Sequence, residues 1–136
     1  MSQQNVEIVR TATDAINRAD FEAFVACFHP DVEWVVSGER FPGFGGTYRG
    51  HEGVRRWLEQ ALEPWESLHI DVEEITEPSH NRVVVGALMT TRGRGGGVET
   101  QLRVWQVFLV ADGQVTKRTS PYWTRDEALE AVGLRE

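Results

Sequence analysis

Residues 31–65, DVEWVVSGERFPGFGGTYRGHEGVRRWLEQALEPW, set three kinds of sequence in a row, and their order decides the fold. Val32, Trp34 and Val36 alternate with Glu33 and Val35, which predicts a strand with one apolar face. Gly38, Gly43, Gly45, Gly46 and Gly50 then punctuate a long connection that also carries Phe41, Phe44 and Tyr48. Connections of that length in a compact domain are functional or disordered, and its aromatics argue against simple disorder. Val54, Trp57, Leu58, Ala61 and Leu62 next share one helical face, with Arg55, Arg56, Glu59 and Glu63 opposite and Pro64-Trp65 closing the segment. Strand, aromatic loop and helix are expected to form one wall and the lid of a small-molecule pocket.

The flanks extend this pattern in both directions. Upstream, Val6, Val9, Ala12 and Ile16 recur at helical spacing within Asn5–Ala19. Asp20 can cap a second short helix carrying Phe21, Phe24, Val25 and Phe28, and His29-Pro30 is expected to end it. Downstream, Leu68–Thr76 alternates as a strand, and Glu77–Asn81 reads as a turn. Arg82–Thr91 is apolar on both faces and therefore central. RGRGGG, residues 92–97, predicts a hairpin turn before a long strand, Val98–Val110. Ala111–Gln114 is a tight turn into Val115–Pro121, and a last helix, Arg125–Val132, stops at Gly133. Helices followed by an antiparallel meander make an α+β domain over residues 1–136, a curved sheet wrapped over N-terminal helices around a conical pocket.

Composition narrows the partners. The 136 residues carry 14 basic and 21 acidic side chains, a net charge of −7 that repels phosphate backbones, so no nucleic acid is expected. Cys27 is the one cysteine and lies in an apolar run, FEAFVACF, so it reads as a buried structural thiol in a reducing, cytoplasmic setting. No stretch is long and apolar enough to span a bilayer, and MSQQNVEIVR lacks the basic-then-apolar pattern of a leader, so no membrane partner is expected. His29, His51, His69 and His80 are scattered, with no metal-ligand spacing. GFGGTYRG lacks the Gly-Lys-Ser/Thr of a phosphate loop, and no G-x-S-x-G is present. No cofactor and no metal is expected.

NVEIVR, INRADFEAF, FHPDVEW, YRGHEGVRRWL, VEEITEPSHNRVVV, RGRGGGVETQLR and EALEAVGL, in that order, resemble a SnoaL-like domain of the NTF2-like (cystatin-like α+β cone) superfamily. The resemblance covers nearly the whole chain and implies a cone cavity. It leaves activity open, because that scaffold carries polyketide cyclases, isomerases, dehydratases, epoxide hydrolases and non-enzymatic binders. Aligned with ketosteroid isomerases, their phenol donor falls on Ala12, their base on Val36 and their protonated acid on Gln106. That mechanism needs both a base and an oxyanion donor, so it is disfavoured. The aspartate on which cyclases resembling this family rely would have to be Glu99 or Asp112, near a strand start and in a turn. Many relatives also carry an acid just before the tyrosine equivalent to Tyr122, where Ser120-Pro121 stand here.

Candidate chemistry is therefore sparse. His51, at the start of the third helix, is either an acid/base, favoured as neutral imidazole there, or a surface cap. Tyr48 either supplies a phenol to the pocket mouth or packs on the lid. Gln106 shares strand parity with Leu102, Val104 and Phe108, and is either a ligand-orienting amide or a satisfied core polar group. Trp34, Phe41, Phe44, Phe108 and Tyr122 complete the expected ligand contacts. Trp105, Val107 and Leu109 make the opposite face of the long strand apolar, which predicts a homodimer through the outer face of the sheet, with Arg103 at its rim. The ligand is expected to be small, mostly apolar and cyclic. The activity is either cofactor-free cyclase, isomerase or dehydratase chemistry, or binding without catalysis.

Overall fold

A computed structural model describes residues 3–37 and 45–133. The elements run α1 (Gln3–Asn17), α2 (Phe21–Ala26), β1 (Phe28–Val36), β2 (Gly46–Arg49), α3 (Gly50–Leu62), β3 (Trp65–Ser79), β4 (Arg82–Gly93), β5 (Glu99–Ala111), β6 (Gln114–Tyr122) and α4 (Arg125–Ala131). The strands form a six-stranded sheet in the order β2-β1-β6-β5-β4-β3, antiparallel except where β1 runs beside β6. The parallel pair joins the helical half of the chain to the end of the meander and closes the cone at that side.

Local chemistry explains where the elements differ from the sequence reading. Asp20 caps α2 as expected, its side chain accepting from the Ala23 N–H at 3.1 Å. The helix nevertheless stops at Ala26, and β1 already includes His29 and Pro30. Pairing with the late strand decides this: the Val115 N–H donates to the Cys27 carbonyl at 3.1 Å, and Phe28 registers with Val115. Gly46–Arg49, read as loop, is a short edge strand on β1, placing Tyr48 opposite Trp34. β3 runs through Pro78 to Ser79 because it is the other edge, where a missing N–H costs the ladder little. Cys27 is buried, and that burial raises its thiol pKa.

Packing is two-sided. On the inner face, Val9, Ile16, Phe24, Phe28, Trp34, Val54, Leu58, Val83 and Phe108 form one core between the helices and the sheet. Asn17 pins the end of α1 to β3, accepting from the Ile70 N–H at 2.7 Å and donating to its carbonyl at 2.9 Å. On the outer face, Ala128, Leu129 and Val132 cover Val84 and Val107, with Trp105, Leu109 and Tyr122 half-buried around them. The apolar outer face expected to need a second subunit is thus partly covered from within: Val107 is 5% exposed beneath the C-terminal helix. Arg103 lies on this side, paired with Glu73 at 2.6 and 3.0 Å. No helix among the described residues is long and apolar enough to cross a membrane.

Candidate functional site

Between α1, α3 and the inner face of the sheet lies a cavity of about 370 Å³, within the range of small-molecule sites. Alternation along the strands builds its wall. Val85, Ala87, Met89 and Thr91 face in from β4, and Thr100, Leu102, Val104, Gln106 and Phe108 from β5. Burial grades along β5, from exposed Thr100 to buried Phe108, so the mouth lies at the Thr100 end and the floor at Phe108.

The floor is a row across the sheet. Trp34 of β1, Arg118 of β6 and Phe108 of β5 are successive register partners. Trp34 packs against Phe24, Phe28 and Trp57 with ring centroids 5.7, 5.1 and 4.9 Å away. The Arg118 guanidinium stacks 4.0 Å over the Trp34 ring and 5.2 Å from that of Trp57. Arg118 is 5% exposed, and its Nε and Nη1 have no hydrogen-bond partner. Burial pushes its pKa down to about 9, so it remains a cation at neutral pH. The other polar side chains on the lining are Thr13, Thr91, Thr100, Gln106 and Ser120; among the described residues no carboxylate or imidazole reaches it. Nor do three His, Cys, Asp or Glu side chains gather anywhere among them to hold a metal ion.

Trp34, Gln106 and Phe108 line this cavity. The Gln106 amide makes no hydrogen bond with the described residues, which leaves it available to a ligand. Ala12 also lines the cavity, whereas Val36 is buried in the core. His51 is elsewhere: its Nε2 lies 2.8 Å from the Phe28 carbonyl, a bond in which the ring nitrogen must donate, tying α3 to β1. The Tyr48 hydroxyl donates to Gln60 Oε1 at 3.0 Å, and its ring packs on the core beside α3 rather than on the lining. Tyr122 is on the outer face, its hydroxyl donating to Thr119 Oγ1 at 3.0 Å. Phe41 and Phe44 lie outside the described residues.

Arg118 is the residue sequence reasoning missed. A two-residue turn pairs Ala111 with Gln114 and Val110 with Val115, and unbroken pairing would set Lys117 opposite Phe108. A bulge at Thr116, whose hydroxyl donates to the Leu109 carbonyl at 3.3 Å, moves the register by one. Arg118 then faces Phe108, because a one-residue slip exchanges the two faces of a strand.

No curated protein matches the chain. Solved structures share its fold. TerC, co-crystallised with polyporic acid, is 24% identical over 97% of this chain and 100% of its own, with a TM-score of 0.78. An NTF2-like protein of unknown function from Burkholderia pseudomallei is 24% identical over 98% and 100%, with a TM-score of 0.79. RV0760c from Mycobacterium tuberculosis, in complex with estradiol-17β-hemisuccinate, is 18% identical over 92% and 97%, with a TM-score of 0.76. The SnoaL-like domain family matches residues 9–118, most of the sequence, and the chain belongs to that family.

Proposed function

We propose that this protein binds a small, mostly apolar, ring-bearing molecule in the cone cavity. The observation that carries the reading is the cavity itself: about 370 Å³ of space walled by aliphatic and aromatic side chains, with a few polar groups set among them. Such a surface gains most from an apolar ring that displaces water. TerC with polyporic acid and RV0760c with estradiol-17β-hemisuccinate are precedents on the same fold. The described lining supports binding over proton abstraction, since its hydroxyls, its amide and a protonated guanidinium include no base of useful strength at neutral pH. A cyclase or isomerase activity would have to draw its base from outside that lining, and His51, held on the Phe28 carbonyl, faces another structural duty.

Thermal-shift titration with 2-naphthamide and estradiol tests the reading. Saturable stabilisation is expected, and Ala87→Phe, which fills the cavity from the middle of β4, is expected to remove it while the protein stays folded. Absence of any shift with both compounds would overturn it. The outer-face homodimer stays a proposal on narrower ground, the half-buried Trp105 and Leu109 beside α4. Sedimentation of a monomer at micromolar concentration would refute it.

A further inference from the structure

We propose that the molecule taken by this cavity is a carboxylic acid bound as its carboxylate by Arg118 at the cavity floor; this rests on the reading that the cavity holds an apolar ligand. Three observations converge. Arg118 lines the cavity at its buried end, stacked on Trp34 and near Trp57, so the plane of the guanidinium is fixed by rings. It is 95% withdrawn from solvent without a hydrogen-bond partner for Nε or Nη1. Trp34 Nε1, on the same floor, is a second buried donor without an acceptor.

Among the described residues, nothing in the surrounding elements compensates the charge. The acids of β1 and the helices turn outward: Glu33 pairs with Arg49 at 2.8 Å and Glu22 with Arg55 at 3.1 Å, while Asp31, Glu52 and Glu59 are exposed. A desolvated cation without a counter-charge is among the costliest groups a core can hold, and such groups concentrate where a ligand completes them. The chemistry of the donors selects the ligand. A planar guanidinium matches the two oxygens of a carboxylate, and the indole N–H can add one more bond. Phosphate and sulfate groups draw several cations or a helix N-terminus, whereas this floor offers a single charge. Above it the wall of β4 and β5 is apolar as far as Met89 and Leu102, apart from the Gln106 amide. The ligand class is therefore an aromatic or alicyclic carboxylic acid that enters with its acid group foremost.

Calorimetric titration with 2-naphthoate and 2-naphthamide, nearly identical in shape and differing in charge, tests this. In the unaltered protein the carboxylate is expected to bind about 10- to 100-fold more tightly, as charge-assisted hydrogen bonds imply. The preference should survive about 0.5 M sodium chloride, because a buried pair is weakly screened. In Arg118→Met the ratio should fall to near one, and in Arg118→Lys part of it should remain. The ¹⁵N NMR signal of Arg118 Nε, assigned by its loss in Arg118→Lys, should move with naphthoate and not with naphthamide, a readout independent of whether Arg118→Met folds. Equal affinities, a preference that persists without Arg118, or one abolished by salt would each overturn the assignment while leaving the apolar cavity reading intact. If neither compound binds, the cavity reading falls and this assignment falls with it.

Discussion

Replacing Arg118 by methionine should make the empty protein more stable. The guanidinium pKa falls from its ordinary value to about 9 because burial removes water from the charge. At about 1.4 kcal/mol for each tenfold change, this difference corresponds to roughly 5 kcal/mol against the folded state at neutral pH. Stacking on Trp34 and Trp57 offsets part of that, up to about 2 kcal/mol for a desolvated cation–π contact. Methionine keeps the length and fills the same space as an apolar group. The expected gain is therefore on the order of 3 kcal/mol or more.

The pH dependence separates this cause from better packing. Arg118 is a cation whose folded-state pKa is depressed, so its penalty is fully present below pH 9. As pH rises above about 9, the folded state can release a proton that the unfolded state still holds, and stability recovers. No other titratable side chain lines the cavity among the described residues, so the difference between variant and parent isolates this group. Urea unfolding of both proteins at pH 7 and pH 10 is the assay. The midpoint of Arg118→Met should be higher at pH 7, and the gap should narrow by about 1.4 kcal/mol at pH 10. A variant less stable than its parent at pH 7 by 2 kcal/mol or more, on the order of breaking a buried ion pair, would refute the reasoning.

Other perturbations address the scaffold. Asn17→Ala removes both side-chain bonds to the Ile70 backbone that hold β3 to α1, and should cost about 1–3 kcal/mol in urea unfolding. Gly86→Ala would set a Cβ about 2.6 Å from the Trp105 ring on the outer face, and a loss of roughly 1–3 kcal/mol from overpacking is expected by thermal denaturation. Cys27, 5% exposed and with a thiol pKa raised by burial, should react with Ellman's reagent slowly in the native protein and at once in urea. Fast native reaction would contradict its burial.

The fold was legible because its elements differ in period. Val6, Val9, Ala12 and Ile16 mark a helix, Val32, Trp34 and Val36 a strand, and all are buried, with Val9, Ala12, Ile16 and Trp34 also lining the cavity. Residues whose structure depends on a distant partner were harder. Phe28, apolar and next to a helix, reads as helical, yet its pairing with Val115 begins β1 there. Gly46–Arg49 has no alternating pattern of its own and becomes a strand only because the edge of β1 is free to receive it. His51 stands out by residue type, but its ring is committed to the Phe28 carbonyl, a contact between segments 23 positions apart. The outer face of β5 reads as an interface because α4 is too short and polar in sequence to announce that it packs over Val107.

The candidate site divides along the same line. Gln106 and Phe108 were readable because β5 is paired with β4 without a break from Glu99 to Leu109, so parity counted along the sequence is parity in space. β6 offers no such count. In KRTSPY, residues 117–122, strict alternation from the Asp112-Gly113 turn would put Lys117 and Thr119 inside and Arg118 outside. The bulge at Thr116 reverses that choice. Lysine on the outward side can stay hydrated, and Lys117 is only half-buried there. Arginine on the inward side meets the Trp34 face that a rigid, weakly hydrated guanidinium can stack upon. One inserted residue thus decides which cation, Lys117 or Arg118, faces the floor of the cavity. Deleting Thr116 should remove the bulge while leaving Lys117 opposite Leu109 and Arg118 opposite Phe108, so the preference for naphthoate over naphthamide should survive. A Thr116 deletion that folds and loses the preference would show that the extra residue at Thr116 is not what brings Arg118 to this floor.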